Sequence, residues 1–243
     1  MKTLVTLVVA FLLMTTAGQA NLLEDLSRQV LPDGTGQSAL DNSTIVKGLK
    51  EALATGTERA ITTVAKPDGY FGNQAIKILF PDKLQQAAEI LGTIGYQKQV
   101  DELVLSMNRA AEQAAPQAGK FFGNAIRQMT VEDARAILSG GDTAATAYFE
   151  KKTRGQLFDA FKPSVTRNMD QVGTVRAYNE MVGSYKDSPL ASFTGLPSLD
   201  MADYVTNKAL DGLFHMVGTE EKKIRTNPAA QTTDLLKKVF GSR

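Results

Sequence analysis

Nucleophilic catalysis needs a base within reach, and this chain has a single imidazole to supply one. Cysteine is absent and His215 is the only histidine, so a Ser-His-Asp arrangement would have to be built around it. On a helical wheel Val205, Ala209, Leu210, Leu213, Phe214 and Val217 form an apolar arc, and His215 falls outside it beside Lys208 and Asp211. That position predicts a solvated or rim histidine. Asp211 and His215 stand one turn apart, a spacing that suits two metal ligands, but no third ligand is implied, so no metal is expected. Glycosidase-type chemistry needs two carboxylates flanking a cleft. Carboxylates are plentiful on the helices, yet spacing does not say which converge. Glu220-Glu221 with Arg225 reads as ordinary helix pairing, since Glu221 and Arg225 are four apart. Gly140-Gly141-Asp142, ahead of a helix start, would present free backbone N–H groups to an anion. It lacks the lysine and the spacing of a phosphate loop and reads as a helix–helix turn. No cofactor motif stands out, and none is expected.

Two other stretches carry the candidate site. In MNRAAE, Met107 and Ala111 belong to an apolar stripe, while Arg109 and Glu112 project from the other side beside Leu105. Such a helix is covered on two faces. Its charged pair is either an ion pair that fixes helix packing or a polar spot in a groove. In KPDGYFGN (66–73), one reading is a tight loop in which Gly69 and Gly72 supply special φ values and Tyr70 and Phe71 pack down. The other is a loop presenting Asp68, Tyr70 and Asn73 to a ligand or partner, because loops on rigid scaffolds often carry function. A Gly-rich loop needs partners for its backbone, and the planar donors of Arg109 suit loop carbonyls or Asp68. The loop is therefore expected beside the polar side of the Arg109–Glu112 helix, with Tyr70 and Phe71 covering the stem of Arg109.

The elements that must hold these residues are helical nearly throughout. Ser43 is a plausible N-cap for a helix carrying Ile45, Leu49 and Leu53. After the loop, AIKILFP alternates Ile76, Ile78 and Phe80 before Pro81, which predicts a short extended segment near residues 75–80, lying on helices or paired as an edge strand. Val100, Leu103, Val104, Met107, Ala111 and Ala114 make the next stripe, followed by Phe121, Phe122, Ala125, Ile126 and Met129. Thr130 and Asp133 resemble a capping box. Gly140-Gly141 stops that helix and Asp142 is placed to cap the next, a long one interrupted at Pro163. A loop rich in Ser, Pro and Gly spans Asp187 to Asp200. Asp200 caps a helix running past His215, and Asn227-Pro228 opens the last helix, which Gly241 follows. In that helix Leu235, Leu236, Val239 and Phe240 share a face. The fold class expected is an all-α multi-helix bundle with one short extended segment.

The first twenty residues read differently. Lys2 is followed by an apolar run from Leu4 to Met14, then by small residues at Gly18 and Ala20, the three parts of a secretory signal. The run is about half of the ~20 residues that span a bilayer. Cleavage after Ala20 is expected, giving a periplasmic or secreted protein without a transmembrane anchor. Residues 21–42 then form a mobile arm and linker, and 43–243 a single helical domain. With no cysteine, packing alone must hold it. The 27 Lys and Arg nearly balance the 26 Asp and Glu, and no basic block offers the phosphate-neutralising charge of nucleic-acid binding or of an anionic membrane patch.

Taken in order, GLKEAL at Gly48, KPDGYFGN at Lys66, MNRAAE at Met107, DARAIL at Asp133, TAATAYF at Thr143, YVTNKALDGLF at Tyr204 and LLKKVFG at Leu235 resemble the exported bacterial family known as domain of unknown function 4197. The resemblance runs from about Val46 to Phe240 and implies a helical fold and an envelope location. It implies no activity. Missing catalytic signatures favour a non-enzymatic envelope protein that binds a protein partner or an apolar small molecule. The alternative is a carboxylate-dependent hydrolase of the cell envelope. A closed apolar cavity would favour ligand carriage, an exposed apolar patch a protein partner, and a polar pocket with two close acids an enzyme.

Overall fold

A computed structural model describes residues 42–171, 180, 183, 200–231 and 233–240. The expected signal segment, the arm up to Asp41 and the loop from Asp187 to Leu199 lie outside the described residues.

Eight helices follow in the described chain: α1 (Asn42–Val64), α2 (Asp82–Leu91), α3 (Gln97–Ala114), α4 (Ala118–Gln128), α5 (Val131–Ser139), α6 (Ala144–Gln171), α7 (Met201–Thr226) and α8 (Asp234–Phe240). Among the described residues there is no strand. The fold is an all-α bundle. Helix α7 packs against α6 and α1, α6 also against α3 and α4, and α8 against α1. One cluster of buried side chains joins them. At its centre the Phe122 ring of α4 sits 5.0 Å from Phe149 of α6 and 5.9 Å from Phe214 of α7, both in tilted or edge-on contact.

Local signals place several ends. The Thr130 hydroxyl accepts from the Asp133 backbone N–H and the Asp133 carboxylate accepts from that of Thr130, a capping box that starts α5. Asp200 accepts from the Asp203 N–H to start α7. Helix α6, in contrast, is not interrupted at Pro163 but continues to Gln171. Ala145, Phe149, Thr153, Leu157, Phe161, Val165 and Met169 are all buried at four-residue spacing. That row crosses the proline without a break, and the burial of Phe161, Val165 and Met169 outweighs a local cost of about 3 kcal/mol. Asn227 caps only a 3-10 turn, Pro228–Ala230, and α8 begins later, at Asp234.

The segment at 75–80 is extended and lies on helices, one of the two arrangements expected of it. Ile76, Ile78 and Phe80 are buried and Leu79 is exposed, so the alternation is real, and among the described residues no strand pairs with it. The side chain of Asn108 does so instead. The Ile78 N–H donates to Asn108 Oδ1 and Asn108 Nδ2 donates to the Ile78 carbonyl, both at 2.8 Å. One buried amide of α3 thus satisfies both polar groups of an extended residue, as a neighbouring strand would.

Helix α8 closes one end of the bundle. Phe240 is buried, with the Arg225 guanidinium 5.8 Å from its ring centroid. Beneath it a cavity of about 20 Å³ is lined by Leu49, Leu53, Phe149, Val217 and Ile224. Phe240→Ala is expected to lower stability by about 3 kcal/mol, and removal of everything after Asn227 by more. Urea denaturation measures both. An unchanged midpoint for the truncated chain would show that α8 is a free tail.

Candidate functional site

The loop 66–73 connects α1 to the extended segment, and its chain path is set by close contacts more than by φ. Positive φ falls at Asp68 (65°), and neither Gly69 nor Gly72 adopts it. The glycines are needed for space. A Cβ on Gly69 would lie 2.5 Å from the Val64 carbonyl oxygen, and one on Gly72 would lie 2.8 Å from that of Asp68. The loop therefore folds back on the last turn of α1, and the expected source of its glycines is corrected.

Four of the five singled-out residues come together where this loop meets α3. Arg109 donates through one terminal nitrogen to Glu112 Oε2 at 2.7 Å and through the other to Asp68 Oδ1 at 2.8 Å. The second Glu112 oxygen accepts the Tyr70 N–H at 3.1 Å and the Phe71 N–H at 3.3 Å. The Glu112 side chain is 4% exposed. It is a buried carboxylate fully engaged by one guanidinium and two loop amides. These bonds, Glu112's first, raise the pKa of Arg109 further above its ordinary range.

Tyr70 does not lie along Arg109 but runs into the core. It is wholly buried, and its hydroxyl donates to the Ala209 carbonyl of α7 at 2.6 Å. Gly212 makes room for the ring: a Cβ there would lie 2.6 Å from Tyr70 Cε1. Burial, then the charges of Glu112 and Asp211, push the phenol pKa far up, so the hydroxyl stays a donor. Phe71 takes the Lys77 ammonium over its ring at 4.0 Å. Asn73 stands apart from the charged group. Its Oδ1 accepts from the Ala75 N–H and its Nδ2 lies 3.6 Å from Met216 Sδ. Loop and helix meet as expected, in a closed clamp whose polar atoms bond to one another.

A second buried carboxylate does what the sequence reading missed. Glu221 Oε1 accepts from the Ala145 N–H at 2.9 Å, and Oε2 from the Thr146 N–H and hydroxyl at 2.8 Å each. Arg225 donates to Glu221 and also to the Ile137 carbonyl. The amides at the start of α6 do meet an anion, but the anion is the protein's own, from α7. Glu221 and Arg225 are thus a buried interhelical cap as well as a helix pair.

His215 is exposed. It lines an open groove of about 430 Å³ between α6 and α7 together with Glu150, Asp211, Thr219 and Lys222. Glu150 and Asp211 both bond to Arg154, at 3.0 and 2.6 Å. Among the described residues no three His, Asp or Glu side chains gather as a metal centre would require.

Four large apolar side chains are exposed among the described residues: Leu79, Val131, and two that share one turn. Between α2 and α3 the turn Gly92–Tyr96 has no buried residue. Ile94 is 53% exposed and Tyr96 36%. Gly95, at φ 103° and ψ 5°, kinks the chain between the two helices in a conformation that a side chain would strain. Sequence reasoning passed over this turn. Its available signal was the absence of any charge from Ile90 to Gln97.

No curated protein and no solved structure matches the chain. A family sequence model matches residues 39–241, spanning every helix described above, the clamp and the Glu221 cap. The chain belongs to the family described as Protein of unknown function (DUF4197).

Proposed function

We propose that the protein is exported to the cell envelope and acts by binding, with the turn between α2 and α3 as its contact surface. The observation that carries this reading is the exposure of Ile94 and Tyr96 on a turn with no buried residue. A solvent-facing Ile and Tyr two positions apart on the turn between two helices support a place that meets something apolar. The polar residues singled out in the sequence support the same reading indirectly. Glu112, Tyr70 and Arg109 spend their hydrogen bonds inside the clamp. The cavity under α8, at about 20 Å³, has room for about one water, so carriage of an apolar ligand finds no support there. For a hydrolase, the groove between α6 and α7 has both its acids tied to Arg154, and a second open groove along α6 sets Asp159 and Asp170 among Lys162 and Arg167.

Export rests on the first twenty residues and on the wider resemblance of the chain. Envelope fractionation with N-terminal sequencing is expected to give Asn21 as the first residue, and an intact Met1 in that fraction would contradict it. For the contact surface, a photo-crosslinking phenylalanine analogue is placed at Tyr96 in living cells, with the exposed Glu132 as control. Adducts are expected at position 96 and not at 132. Equal yields at the two positions would remove the turn from consideration.

A further inference from the structure

We draw no further inference here: the strongest candidate, the open groove between α6 and α7 beside His215 and Lys222, has both its acids bonded to Arg154, and nothing in the structure shows what occupies it.

Discussion

Glu112→Ala is expected to destabilise the protein by about 3–5 kcal/mol. The substitution leaves the Tyr70 and Phe71 N–H groups without an acceptor and removes one of Arg109's two carboxylates. Each buried donor left unpaired costs about 1–3 kcal/mol. Arg109 adds less, because its side chain is 31% exposed and it keeps Asp68. For a domain of this size the loss lowers the melting temperature by roughly 10 °C. Asp68→Ala should cost under about 1 kcal/mol, since Asp68 is 60% exposed. Thermal melts of the two variants measure the contrast. Equal effects would show that the carboxylate of Glu112 does not hold the loop.

Glu221→Ala should be as damaging or more so, at about 3–5 kcal/mol. It removes the acceptor of two backbone N–H groups and one hydroxyl at the start of α6. It also strips Arg225, whose side chain is 9% exposed, of its counter-charge. Glu221→Gln keeps the shape and part of the acceptor capacity, so its loss should be clearly smaller. Urea denaturation of both variants checks this. If Ala and Gln behaved alike, the charge and not the hydrogen bonding would be the stabilising part.

The elements legible in the sequence are those set by local spacing. The two residues of the Thr130–Asp133 box are three positions apart, and the Asp200 cap immediately precedes α7, so residue type alone determines them. The buried rows of α3 and α4 follow from helical periodicity for the same reason. The meeting of the loop with Arg109 and Glu112 crosses some forty positions, yet it was legible because a glycine-rich loop that needs further backbone partners and a charged pair on a two-sided helix answer one another chemically. Residues that act at long range through a single side chain were not legible. Glu221 caps a helix that begins more than seventy positions earlier, and spacing showed only its neighbour Arg225. Asn108 looked like any helical amide, although it stands in for a strand. Pro163 signalled an interruption that a buried row on both sides overrides. The exposure of Ile94 and Tyr96 is a property of what the rest of the chain leaves uncovered, and the uncharged run from Ile90 to Gln97 does not by itself tell an exposed turn from a buried one.

The central claim is that the loop 66–73 is part of the rigid core, held by Glu112, and is not a mobile binding loop. Native-state amide hydrogen exchange tests it most directly, because exchange reports the free energy of opening at each N–H. The Tyr70, Phe71 and Ile78 amides are bonded to Glu112 and Asn108. They are predicted to exchange through global unfolding, within about a factor of ten of the slowest amides of α6 and α7. Exchange of Tyr70 and Phe71 as fast as that of the exposed Gly92–Tyr96 turn would contradict the account, and would return the loop to consideration as a site.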